Sequence, residues 1–199
     1  MNPEALILAL YDAGCVQFGE FKLKSGLLSP IYIDLRLLVT TPRLLGQVAQ
    51  AMAGLIRERE LAFDRLAAIP YAALPIGVAL SLELNRPLIY PRKETKDYGT
   101  GRVIEGAFRP GETALLVDDV ITKGHAKIEA LAPLLEAGLV VRDVLVVIDR
   151  EQGGAEELAA RGYRLHSVLR LGALLNTLAS AGRLSHAQAQ EVMQWIAQS

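Results

Sequence analysis

Short, uninterrupted apolar runs recur along the chain from Leu66 onward: Leu66–Ile69, Pro87–Tyr90, Ala114–Val117, Val140–Ile148 and Leu165–Leu169. Helical patterns near Leu74–Leu84, Ile128–Ala137 and Glu156–Arg161 lie between them. A strand exposed on one face alternates apolar and polar residues, whereas a strand covered on both faces is apolar throughout. Apolar strands alternating with helices therefore predict βαβ units, a mainly parallel sheet flanked by helices, and the α/β class. Ligands of such sheets bind beyond the carboxyl ends of the strands, so the residues that follow each run are the candidate site.

Upstream the period differs. Pro3–Ala13 carries Leu6, Leu8, Leu10 and Tyr11 at helical spacing and stops at Gly14. Val16–Lys24 alternates, and Ile31–Asp34 follows the turn-rich stretch KSGLLSP, so short strands forming a small hood are expected over 14–40. Thr41-Pro42 reads as an N-cap and first-turn pair, opening a helix to about Glu60 with Leu44, Leu45, Val48, Met52, Leu55 and Ile56 on one face. Leu171–Ala179 and Ser185–Ala197 read as two closing helices, the second capped by Ser185. With no repeat, linker or low-complexity tract, residues 1–199 are expected to form a single domain.

Charge narrows the functions. Twenty-one basic and 22 acidic residues give a net charge of −1, too little field to bind a nucleic-acid backbone. Phosphate recognition would have to be local. Cys15, the one cysteine, has no partner for an intrachain disulfide, and the N-terminus lacks a leading basic stretch; a reducing, cytoplasmic compartment is expected. No segment approaches the roughly 18 consecutive apolar residues that span a bilayer, so no membrane association is expected.

Three segments carry chemistry. In Ala114-Leu-Leu-Val-Asp-Asp-Val-Ile-Thr-Lys-Gly-His-Ala126 an apolar strand leads to two acids and a Thr/Gly turn opening a helix. Backbone amides of such a turn cradle an anion, helped by the Thr122 hydroxyl. Asp118 and Asp119, at the strand's end, accept hydrogen bonds as the vicinal hydroxyls of a ribose require; the alternative is an ordinary turn with acids capping the helix. Walker A and dinucleotide-binding glycine patterns are absent. Pro91–Gly106 places Arg92, Lys93, Lys96 and Arg102 among glycines without apolar periodicity. It suits a loop that closes over a site and neutralises departing charge, or else a solvated hairpin. Arg150 follows another strand, where a guanidinium suits a carboxylate, unless it only pairs with Asp149 or Glu151. The segment from Phe21 to Arg36 mixes Lys24, hydroxyls and an aromatic around turns, as a cover for a flat anionic ring would.

These residues also carry a likeness. The run ending in Asp118-Asp119 with Thr122 and Gly124 resembles the PRPP-binding signature of type I phosphoribosyltransferases. R-K-E-x-K-D-Y-G-T-G is similar to the catalytic loop of orotate phosphoribosyltransferases, above all that of the corresponding domain of UMP synthase. F-x-L-K-S-G-x-x-S-P and D-R-x-x-G-G resemble orotate-specific segments, and Ile69–Gly77 resembles the family's pyrophosphate loop. The likeness runs over residues 5 to 198, without room for a decarboxylase domain. It implies the type I phosphoribosyltransferase fold and transfer of the phosphoribosyl group of PRPP to orotate, giving orotidine 5′-monophosphate and pyrophosphate in pyrimidine biosynthesis.

By that likeness Lys96, Arg92 and Lys93 are catalytic. PRPP would be held by Lys24, Tyr71, Ala72, Arg92, Lys93, Lys96, Tyr98, Asp118, Asp119, Val120, Ile121, Thr122, Lys123, Gly124, His125 and Ala126, and orotate by Tyr32, Ile33, Thr122 and Arg150. Magnesium is expected through PRPP oxygens and water, and a homodimer is expected in which the loop 92–106 serves the neighbour's site. His125, Tyr98 and Ala72 stand where members of the family often carry a small hydroxyl residue, His and Lys respectively. A phosphoribosyltransferase for another base and a non-catalytic PRPP-sensing regulator are the competing readings; the basic loop and the near-neutral charge weigh against the regulator. His166 and His186 read as structural or surface groups, and Trp195 as a packing or dimer residue.

Overall fold

The computed structural model describes residues 2–22, 26, 28–92 and 103–198. Helix α1 (Pro3–Asp12) is capped by Asn2, whose side chain accepts from the Glu4 amide. Strands β1 (Val16–Lys22) and β2 (Leu28–Ile33) then pair antiparallel as a two-stranded sheet. This is the expected hood, but a narrower one. A 3-10 turn over Leu35–Thr40 buries Leu35 and Leu38 in the main core, so the chain has already left the hood there.

Helix α2 (Pro42–Glu58) turns Leu44, Val48, Met52 and Ile56 inward. Thr41 holds the N-cap position and Pro42 the first turn, as the sequence reading has it, but the Thr41 side chain makes no cap bond and instead donates to the Leu38 carbonyl. The hydroxyl closes the preceding turn, so Pro42, which has no amide to satisfy, starts the helix alone.

The main sheet has six strands in the order β5-β4-β3-β6-β7-β8. Strands β3 (Arg65–Ala68), β4 (Leu88–Pro91), β6 (Thr113–Ile121), β7 (Val140–Asp149) and β8 (Arg164–Arg170) are parallel. Helices α3 (Ala73–Leu84), α4 (His125–Glu136) and α5 (Gly154–Ala160) make the crossovers. Gly77 lets α3 settle on the sheet, since a Cβ there would stand 2.8 Å from the Ala68 methyl. Two apolar cores result, one on each face of the sheet, and the first also takes in α1, α2, α6 (Leu171–Ser180) and α7 (His186–Gln198). Ser185 does cap α7: it accepts from the Gln188 amide while Gln188 reaches back to the Ser185 amide, a capping box.

Two further expectations change. Strand β6 does not stop at Val117 but runs to Ile121, paired with β7 throughout, so Asp118 and Asp119 lie within a strand. The segment 92–106 also has an apolar anchor. Ile104 is buried, and with Glu105 it forms β5 (Ile104–Glu105), antiparallel to β4. A single buried side chain has no period, which is why the sequence pattern passed over it.

Candidate active site

Chain order and strand order disagree at one place. From β3 the chain adds β4 and β5 on one side and then returns to add β6, β7 and β8 on the other. Crossovers diverge there and leave a crevice at the carboxyl ends of β3 and β6. Ladder contacts with β3 end at Val117, whose carbonyl accepts from the Ile69 amide. Beyond it β6 continues from Asp118 to Ile121 without a ladder partner on β3. The segment Tyr71-Ala72 enters the crevice from β3, leading into α3; Tyr71 is exposed and Ala72 half-buried.

Thr122 and Lys123 follow β6 and are exposed, and Gly124 then adopts φ +86°, a left-handed conformation that starts α4 without a side-chain cap. The first-turn amides of a helix have no carbonyl one turn behind them. With no side chain closing this end, the amides around His125 and Ala126 are available to an anion. Helix α4 thus begins at His125, earlier than its apolar period suggests, and the exposed imidazole lies at the rim. The loop is pressed from behind by the start of α5. A Cβ on Gly154 would stand 2.4 Å from the Thr122 carbonyl oxygen and 2.7 Å from the Ile121 side chain, so the second glycine of D-R-x-x-G-G is required for α5 to support the phosphate loop at this distance.

The two acids are not equivalent. Asp118 is buried; one carboxylate oxygen accepts from the Asp119 amide at 2.9 Å and the other faces the Lys127 ammonium at 2.5 Å. Lys127, also buried, donates in addition to the Val120 carbonyl. Asp119 is half-buried and accepts from the Val120 amide at 2.8 Å. Burial and then the charge of Asp118 push its carboxyl up to about 7. Lys127 was not foreseen, because a lysine inside a helical pattern reads as a solvated face and its partners are distant in sequence.

Arg150 is 8 % exposed, and its amide donates to the Ile121 carbonyl, extending the β6–β7 ladder to the edge of the phosphate loop. Its guanidinium pairs with neither neighbouring acid. Asp149 accepts from the Glu151 amide, and Glu151 accepts from the Gly172 amide. Nε and Nη2 of Arg150 are buried without a hydrogen-bond partner, the guanidinium carbon stands 5.8 Å from the centroid of the Trp195 ring, and burial lowers its pKa. An anion is the chemistry that completes such a group.

In the hood Tyr32 stacks on Phe21 at 5.4 Å and its hydroxyl accepts from Arg36, which is held by Asp34. Ile33, the next residue on the strand, leaves on the opposite face and packs against the main core. Arg92 makes an ion pair with Glu105 across β4 and β5. Lys24, Lys93, Lys96, Tyr98 and Arg102 lie outside the described residues. His166 bonds to the buried Asp143, in the amino-terminal half of β7.

A mainly parallel sheet with its switch point at an Asp-Asp strand, an uncapped Gly/Thr loop and an antiparallel hood defines the type I phosphoribosyltransferase class. No family model matches the chain. It is 45% identical over 183 residues to the bifunctional enzyme PyrF/PyrE of a Nostoc species, covering 92% of this chain and 38% of that protein. With the orotate phosphoribosyltransferase of Caenorhabditis elegans it shares 40% identity over 188 residues, 94% of this chain and 83% of the relative. The UMP synthase structure of Leishmania donovani superposes with a TM-score of 0.91 at 40% identity, over 100% of this chain and 43% of that one. The chain belongs to the orotate phosphoribosyltransferase family. It spans 38% of the length of the bifunctional enzyme of Nostoc and 40% of that of the uridine 5′-monophosphate synthase of Bos taurus.

Proposed function

We propose that the chain transfers the 5-phosphoribosyl group of PRPP to orotate, releasing pyrophosphate and forming orotidine 5′-monophosphate. The observation that carries the base choice is Arg150, a buried guanidinium with unpartnered N–H groups one ladder step from the phosphate loop. Orotate supplies an anionic carboxylate, which uracil, adenine and hypoxanthine lack. In the reaction the 5′-phosphate sits on the loop Thr122–Ala126 and the ribose at the acidic end of β6, beside Asp119. The orotate nitrogen attacks the anomeric carbon as the C–O bond to pyrophosphate breaks; the electron pair of that bond leaves with pyrophosphate, and the proton of the ring N–H passes to pyrophosphate or water. Arg92 and, from the likeness, Lys93 and Lys96 stabilise that charge.

Magnesium enters this proposal with the substrate. No three of His, Cys, Asp and Glu gather as a cation cage among the described residues, and an ion held by diphosphate oxygens and water needs none. It would supply charge neutralisation at the leaving group. We also propose a homodimer and a cytoplasmic location; no helix among the described residues is long and apolar enough to cross a membrane.

The test is PRPP-dependent consumption of orotate, followed spectroscopically beside uracil, adenine and hypoxanthine, in the wild type and in Arg150→Ala. The variant should raise the KM for orotate by roughly 30-fold or more, about 2–3 kcal/mol of lost charge-assisted hydrogen bonding, with a far smaller effect on PRPP. Turnover of another base in preference to orotate would overturn the assignment.

A further inference from the structure

We propose that Lys127 divides the work of the two acids: its buried ammonium is the fixed counter-ion of Asp118, which leaves Asp119 as the one member of the pair that meets the ribose. This rests on the phosphoribosyl reading above and refines it. The sequence presents Asp118-Asp119 as two equal acceptors. In the structure both oxygens of Asp118 have internal partners, the Asp119 amide and Lys127, and Asp118 is 5 % exposed. Asp119 is the more accessible, on the stretch of β6 that has no ladder partner on β3.

The position of Lys127 is costly in two ways. Lysine is almost never buried unless paired, and it is 5 % exposed here. It also sits in the first turn of α4, where the helix dipole disfavours a cation and an anion-binding loop would gain more from an exposed one. Asp118 at 2.5 Å and the Val120 carbonyl offset both costs. The ionisable groups acting on Asp119 are therefore Asp118 from its own strand and Lys127 from α4. Neighbouring strands present Ile69 on one side and Val146 and Ile148 on the other at this level, all apolar.

Without Lys127, Asp118 would be a buried anion beside a second carboxyl, and the pair would share one proton. Asp119 would stay protonated to higher pH and accept poorly from a ribose hydroxyl. Lys127 is in this sense a positioning residue, acting on substrate through Asp118 and Asp119.

The experiment is titration calorimetry of PRPP with the whole chain across neutral pH, in the wild type, Lys127→Met, Asp119→Asn and the double variant Lys127→Met/Asp118→Asn. Ionisations of PRPP itself are common to all four and cancel in the comparison. Lys127→Met should move the midpoint of the rise in affinity upward by roughly one pH unit. The double variant buries no unpaired charge, so it should fold even if the single one does not. It should bring the midpoint back to or below that of the wild type and bind PRPP within about threefold of it. Asp119→Asn should lose about tenfold or more at every pH. A double variant as weak as Asp119→Asn would show that Asp118 itself holds the ribose, and a Lys127→Met midpoint equal to the wild type's would reduce Lys127 to a packing residue; either overturns the inference. Failure of the wild type to bind PRPP would instead overturn the proposed function, and this inference with it.

Discussion

A buried guanidinium whose donors are unmet is a stability cost kept for binding. Nε and Nη2 of Arg150 are such donors, and the Trp195 ring stands beside the guanidinium. Arg150→Met should therefore leave the thermal midpoint unchanged or slightly higher while orotate binding is lost; a fall of several degrees would mean that the side chain holds the fold together. Asp143 shows the opposite balance. Burial alone would raise its carboxyl, but hydrogen bonds from Arg164 and His166 hold it below the ordinary carboxylate range. A depressed acid contributes stability that is fully present above its unfolded pKa and is lost as pH falls through the folded one. Asp143→Asn should thus cost about 2 kcal/mol near neutrality and flatten the acid limb of the stability curve, and an acid limb identical to the wild type's would refute the assignment. Arg150 was legible in sequence because it directly follows an apolar strand, where a ligand group is expected. Asp118 was legible only as an acceptor and Lys127 not at all, because the ion pair between them is a product of the β6–α4 turn.

Strands and helices were legible wherever burial has a period, and their ends were not. The five apolar runs fell in the five parallel strands, yet β6 is longer than its apolar run because it carries two acids into the sheet. Edge strand β5 has one buried residue and so no pattern. What joins elements at the site is glycine. Gly154 has no room for a Cβ against the Thr122 carbonyl, which is backbone and can yield only by moving the phosphate loop. Gly154→Ala should destabilise the protein by about 1–3 kcal/mol, the usual range for overpacking, and weaken PRPP binding more than orotate binding. Retention of wild-type PRPP affinity in calorimetry would mean that α5 does not support the loop.

For the whole molecule, the strand order puts its switch point between β3 and β6, and the Thr122–Ala126 loop, Asp119, Arg150 and the start of α3 all lie at the carboxyl ends of neighbouring strands. Among the described residues the basic loop is tied to this frame at both ends: the Arg92 amide donates to the Val103 carbonyl, Arg92 pairs with Glu105, and Ile104 is buried. Residues 93–102 between these ties include Lys93 and Lys96, the cations assigned to the leaving group. On α3, Val78 and Leu82 lie one turn apart and are 49% and 78% exposed, apolar surface of the kind the proposed homodimer needs. If the loop acts across such a dimer, Lys96 of one chain serves the Asp119 of the other. Mixing inactive Lys96→Ala chains with inactive Asp119→Asn chains should then restore activity, because one of the two sites in a mixed dimer draws an intact loop from one chain and an intact ribose acid from the other. A loop working within its own chain leaves every site with one defect. The mixture would then stay as inactive as its parents after subunit exchange is confirmed by mass spectrometry, and that result would refute a shared site.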